Sequence, residues 1–198
     1  MLQSMKRGTA LILIIAILSG IAGIALASGS NPWPTRYKSG VGVGLSPVVN
    51  NKNGKRQAYY GPDAKSYAKA GAFKAASVTN ALALFREGDY ALVDLYYPAT
   101  GKACVYFLVR DLTNKNIPEE YLTSYSAKTT SEVEVMEGPG YDYHAADYPY
   151  LSNTKRVRLA RGTWIDVFFE MDGWVFAEFY CEAGRIRAWI PENQVESN

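Results

Sequence analysis

The feature that most constrains this chain is a weak internal duplication. Gly61-Pro62 and Gly138-Pro139 stand 77 residues apart, each after a strand-like run, QAYY in one case and VEVM in the other. Further on the spacing becomes 84, so that Phe73 to Tyr97 lies over Val157 to Cys181. Ala76 then pairs with Ala160, Phe85 with Phe169 and Tyr96 with Tyr180. The next turn is one residue shorter in the second copy, which brings Gly101 over Gly184 and KACVYF over RIRAWI. Identities are few. What repeats is the order of apolar runs, turns and lengths, which is how a duplicated structural unit shows itself in sequence.

Each copy has the same grammar. A strand leads into a Gly-Pro loop, and a strand pair follows, turning at Arg86 to Asp89 or at Met171 to Gly173. An aromatic strand, a short glycine turn and a last strand complete the unit. Short strands with turn signals between them predict a small all-β barrel or sandwich. The ends, Ile117 to Leu122 and Pro191 to Val195, are each expected to form a single tight helical turn. No sustained helical periodicity follows Ser30, except in the alanine-rich stretch Asp63 to Ala76. Its place after Gly-Pro predicts loop there.

Met1 to Arg7 is short and basic, Thr9 to Ala27 is apolar, and Ala25-Leu26-Ala27 precedes Ser28-Gly29-Ser30. This is the three-part pattern of a secretory signal peptide. Nineteen residues could also span a bilayer as an uncleaved anchor, and both readings stay open. In either, Lys6 and Arg7 stay inside and the remainder is exported. No cysteine follows the run, which excludes a lipid-linked N-terminal cysteine. Residues 28–55 are rich in Gly, Pro, Ser and Asn and read as a linker. Lys6 and Arg7 also account for the net charge of +2. The exported part is therefore neutral and has no electrostatic case for nucleic acid or anionic lipid.

One histidine, His144, and two cysteines, Cys104 and Cys181, leave little for a triad or a zinc site. The expectation is a protein with no catalytic residues, no metal and no cofactor. Glu132, Glu134, Asp142 and Asp147 lack calcium-loop spacing, and Lys155, Arg156 and Arg158 read as a solvated edge. Export permits a bond between Cys104 and Cys181; free thiols are the alternative.

The combination of a Gly-Pro loop, a Gly-Trp before an aromatic strand, a glycine turn and an aromatic-Ile-Pro end resembles the bacterial SH3 domain family. Here the residues are Gly138-Pro139, Gly173-Trp174, Gly184 and Trp189-Ile190-Pro191. The first copy departs from it, with Asp89-Tyr90 for Gly-Trp and Phe107-Leu108-Val109 at the end. The resemblance spans residues 56–122 and 127–196. It implies an all-β chain of two tandem small SH3-like barrels, 56–122 and 127–198, after the apolar export segment, 1–27, and the linker. It further implies an extracytoplasmic, non-catalytic binding module, secreted or at the cell surface. The implied partner is cell-wall peptidoglycan or its peptides; a protein-interaction or scaffold role is the alternative. Membrane contact is expected only through the N-terminal segment.

The family layout points Val175, Ala177 and Phe179 into the second core, with Ala188 and Ile190, and Val93, Leu95, Val105 and Phe107 into the first. The opposite face of the aromatic strand holds Trp174, Phe176 and Tyr180. That face either meets ligand or is buried between the two copies, since small units need extra buried area. The second Gly-Pro loop places Tyr141, Tyr143, Tyr148 and Tyr150 close together. Tyrosine offers rigid apolar area with a polar tip, which suits recognition. The expected ligand surface joins these four tyrosines to Trp174 and Tyr180.

Overall fold

Alternating apolar residues and glycine turns generate thirteen short strands in the computed structural model, which describes residues 40–46, 54–98, 101–146, 156–182 and 184–197. The first group is β1 (Val41–Val43), β2 (Lys55–Tyr59), β3 (Lys69–Lys74), β4 (Thr79–Glu87), β5 (Tyr90–Tyr97) and β6 (Gly101–Leu108). They form one sheet in the order β1-β4-β5-β6-β2-β3. The second group is β7 (Tyr125–Thr129), β8 (Val133–Glu134), β9 (Arg158–Leu159), β10 (Trp164–Met171), β11 (Trp174–Cys181), β12 (Gly184–Pro191) and β13 (Val195–Ser197). Here the sheet order is β12-β11-β10-β7-β13, with β8 and β9 as a separate pair. The chain is all-β, and its only helical pieces among the described residues are single 3-10 turns. Both large sheets are open, ending in β1 and β3 and in β12 and β13.

The duplication extends to register. Phe85 faces Leu92 across β4 and β5, and Phe169 faces Phe176 across β10 and β11, the same pairing 84 residues on. Each pair is interrupted by a bulge at the matching place, between Ala83 and Phe85 and between Val167 and Phe169. The bulge lets Leu84 and Phe85, like Phe168 and Phe169, turn toward the same side of the sheet. Asp172 and Gly173 carry the positive φ, 52° and 79°, of the tight turn between β10 and β11.

Three local expectations are corrected. The stretch read as linker contributes β1, whose partner is β4, and Leu45 beyond it is buried. The alanine-rich stretch read as loop is loop only in its first half; its second half becomes β3, because it pairs along β2 from Lys74 back to Lys69. The first copy's tight turn lies at Val109–Asp111, directly after β6, and not at Ile117 to Leu122. The second copy's turn is where it was expected, at Glu192–Gln194. The apolar run 1–27 lies outside the described residues.

Val93, Leu95, Val105, Phe107, Val175, Ala177, Phe179, Ala188 and Ile190 are all buried, as the family resemblance implies. The opposite faces are buried too. Leu92, Tyr106, Phe176 and Trp189 form a second apolar cluster drawn from both sheets, with Phe85 and Phe169 in ring contact at 6.1 Å. One compact unit, Trp33–Asn198, therefore holds both copies.

The contacts between copies are reciprocal. The ring of Tyr67 covers Gly61, and that of Tyr143 covers Gly138; a Cβ would fall 2.1 Å and 1.8 Å from those rings. The Tyr67 hydroxyl donates to Glu178 on β11, and the Tyr143 hydroxyl to Asp94 on β5, 3.0 Å away. Ala68 N donates to the Arg185 carbonyl (3.1 Å) and His144 N to the Lys102 carbonyl (2.8 Å). Arg187 N donates to Tyr60 O at 2.6 Å, and Cys104 N to Glu137 O at 2.5 Å. Most of these residues map onto their counterparts through the spacings of the sequence repeat, while Tyr67 and Tyr143, like Ala68 and His144, stand one residue closer than the Gly-Pro spacing. The two copies thus meet as an isologous dimer would, inside one chain.

Candidate functional site

The reciprocal interface fixes which aromatic residues remain for a ligand. Trp174, at the head of β11, is only 7% exposed, because Leu84, Phe85 and Leu92 of the other copy lie in the same apolar cluster. Tyr141, in the Gly-Pro loop, is 78% exposed, and its ring meets Trp174 edge-on at 4.9 Å. Gly173, Pro191, Glu192 and Asn193 complete an open groove of about 460 Å³ around this pair. The loop and the strand therefore meet as expected at one point, Tyr141 on Trp174.

The other expected site residues lie elsewhere. Tyr143 is committed to Gly138 and Asp94 at the interface. Tyr180, at the far end of β11, is 73% exposed and belongs to a different cleft, with Trp164. Six steps along the strand separate it from Trp174, roughly 20 Å at about 3.3 Å each. Tyr148 and Tyr150 lie outside the described residues.

The first copy has different residues at the matching corner. Ala64 stands where the second copy has Tyr141, and its N–H donates to the hydroxyl of Tyr90, the counterpart of Trp174, at 3.1 Å. Leu108 and Val109 occupy the places of Pro191 and Glu192. The duplication supplies its own control: the same hairpin register, a different surface. Sequence reasoning missed Pro191, Glu192 and Asn193 as groove residues. Their signal was the tight turn that lifts them beside the Gly-Trp corner.

A buried polar chain crosses the interface beside the apolar cluster. The Tyr106 hydroxyl donates to Glu87 (2.7 Å), which also accepts from Arg187 at 2.8 and 3.0 Å. Arg187 Nε continues to Glu178 (2.8 Å), and Arg185 Nε reaches the same carboxylate at 2.6 Å. The Arg187 guanidinium lies 4.1 Å from the centroid of the Phe168 ring. Burial alone would push the Glu178 carboxyl up, but the bonds from Tyr67, Arg187 and Arg185 outweigh it and hold the group below its usual range. Burial, reinforced by the bond to Glu178, raises the Tyr67 phenol. These shifts belong to a satisfied network between the copies, which is how structural ion pairs perturb titration.

The remaining candidates for chemistry are similarly engaged. Glu134 pairs with Arg156 (2.6 Å), Glu132 with Arg158 (3.2 Å), and Asp142 with Lys102. Burial raises the Cys104 thiol well above its ordinary value, with Asp94 adding to the rise, so it stays protonated and is a poor nucleophile. Cys104 and Cys181 form no disulfide; one lies in the interface and the other is half-buried at the end of β11. His144 sits with Nδ1 3.9 Å from Glu137. Among the described residues no cluster of three or more His, Cys, Asp or Glu could hold a metal ion. Comparison with protein-family models, with curated proteins and with solved structures gives no match.

Proposed function

We propose that this chain is a non-catalytic binding module working outside the cytoplasm. In this reading it is two SH3-type units docked into one body, and it recognises peptides of cell-wall peptidoglycan through the groove between Tyr141 and Trp174. The observation that carries the proposal is the difference between the two copies at that corner. The interface buries equivalent aromatic faces in both copies, yet only the second adds Tyr141, Pro191, Glu192 and Asn193 around its corner. An apolar wall flanked by a carboxylate and an amide suits a short peptide bearing small apolar residues and a free side-chain amine. The basic and apolar start of the chain supports export.

The test is retention on purified peptidoglycan. Tyr141 is the residue to change, because Trp174 also packs into the interface and its loss would confuse binding with stability. Tyr141→Ala and Glu192→Gln should each release the protein from the wall while its melting temperature stays unchanged. Retention equal to that of the unmutated protein would place the site elsewhere. If the unmutated protein is not retained, wall binding is wrong, and a surface protein becomes the partner to seek.

A further inference from the structure

β10 and β7 pair in register, Trp164 opposite Lys128 and Asp166 opposite Ser126, while Asp166 also faces Glu178 on β11. On β12, Arg185 faces Tyr180 and Arg187 faces Glu178. Alternation therefore lays two parallel rows across one face of the second sheet. Lys128, Trp164, Tyr180 and Arg185 form one row; Ser126, Asp166, Glu178 and Arg187 form the other. Tyr67 of the first copy covers the Glu178 end. The end at Trp164 is open: this indole is 55% exposed although β10 is the middle strand of its sheet. Two large aromatic rings left in water side by side mark a contact surface.

Trp164, Tyr180 and the backbone between them wall a cleft of about 250 Å³, with Asp166 and Ser126 at one side. We infer that this cleft binds one ring of an uncharged saccharide, at a site separate from the peptide groove and independent of that reading. Three features select this ligand. The two aromatic rings match the apolar C–H face of a sugar ring. The Asp166 carboxylate accepts hydrogen bonds, so it suits hydroxyl or amide donors from its ligand. Ser126 donates to one of its oxygens at 3.1 Å and leaves the carboxylate oriented in the cleft. A carboxylate in that position repels phosphate, which disfavours a nucleic acid or other polyanion on the same stacking surface.

The support behind the rings fits the same role. Lys128 lies 4.0 Å from the centroid of Trp164, holding the indole from the neighbouring strand. The Arg185 guanidinium lies 5.8 Å from the Tyr180 ring, and is itself held by Glu178. Both platforms are thus positioned before a ligand arrives. The cleft is smaller than the roughly 300–1,000 Å³ of a pocket that engulfs a whole small molecule, so it takes one unit of a longer chain. The equivalent face of the first copy has Tyr96 exposed, but Leu82 stands in place of Asp166 and Asn80 in place of Trp164. The site is confined to the second copy.

The experiment is a titration of the full-length, 15N-labelled chain, in a detergent without a sugar headgroup, with tri-N-acetylchitotriose. Saturable shifts are expected at the amides of Ser126, Trp164 to Asp166 and Glu178 to Tyr180. Trp164→Ala and Tyr180→Ala should each weaken binding roughly ten-fold, the size of one aromatic contact. Asp166→Asn, which keeps the shape of the cleft, should weaken it as well, and Tyr141→Ala should leave it unchanged. Absence of saturable shifts at these amides overturns the inference. So does undiminished binding by the Trp164 and Asp166 variants, or saturation of the same amides at lower concentration by a deoxythymidine decamer or trialanine.

Discussion

Replacing Arg187 with methionine probes the polar chain that joins the copies. Its side chain is 9% exposed and bridges Glu178, 5% exposed, to Glu87 of the other copy. Met keeps much of the aliphatic volume and removes the charge. Glu87 then retains the Tyr106 hydroxyl, and Glu178 retains Arg185 and Tyr67. Breaking a buried pair by removing one partner costs about 3–5 kcal/mol, because the other charge is left behind. The surviving partners place this case near the lower end, about 3 kcal/mol. With a typical total stability of about 5–15 kcal/mol, the variant still folds. Urea unfolding followed by tryptophan fluorescence reads the loss, since Trp174 and Trp189 both lie in the interface cluster. Adding Glu87→Gln removes the stranded charge and should recover about 1–2 kcal/mol. A single-variant loss under about 1 kcal/mol, or strict additivity in the double variant, would refute the picture of one coupled network.

Other outcomes follow from the same contacts. Gly138→Ala drives a methyl into the Tyr143 ring and should cost about 1–3 kcal/mol, with faster amide exchange at His144, whose N–H bonds across the interface; unchanged exchange there would mean that Tyr143 does not hold the loop. Stability should fall as pH rises above 10, because Tyr67 has its pKa raised on folding and its contribution is lost once the unfolded phenol ionises. Tyr67→Phe should flatten that limb of the pH–stability curve, and an identical limb would reject the assignment. At the acid end Glu178, whose pKa is lowered on folding, contributes above the ordinary carboxylate range and loses that contribution as pH falls through its folded value. Glu178→Gln should therefore reduce the acid dependence of the midpoint. The second copy produced alone, from Tyr125 onward, exposes Phe169, Phe176 and Trp189 together and should self-associate in sedimentation experiments; a stable monomer would show that the interface is dispensable.

The all-β class and the central hairpins of each copy were legible because both rest on local signals. Alternation in VFAEFYC and LVDLYY, bracketed by glycine turns, identifies β11 and β5 and the two faces of each, and the family resemblance implies which face turns inward. The residues that shape the site were less so. β1 is three residues long and becomes a strand only because β4 offers it an edge. β3 is alanine- and lysine-rich, poor in β-branched residues, and is set by its pairing with β2. The burial of Trp174 depends on side chains some 80 residues earlier in the chain, and alternation alone places it outside. Trp164 and Asp166 do alternate outward in WIDVFF. Their partner Tyr180 becomes visible only once the β10–β11 register, with its bulge, is known. Glu178 and Asp94 could have been paired from the repeat itself, since both stand at the same point of the aromatic strand.

Phe85 and Phe169, equivalent in the repeat, touch each other where the axis relating the copies passes. In a dimer of identical chains any change made on one side of such an axis appears on the other as well. A mutation that helps ligand contact is then tied to whatever it does at its mirror position. Joining the halves covalently removes that tie. Tyr141 can stand against Trp174 while Ala64 closes off Tyr90, and Asp166 can face water where Leu82 does. The chain keeps the mutual burial of a symmetric pair and is free to specialise one side only.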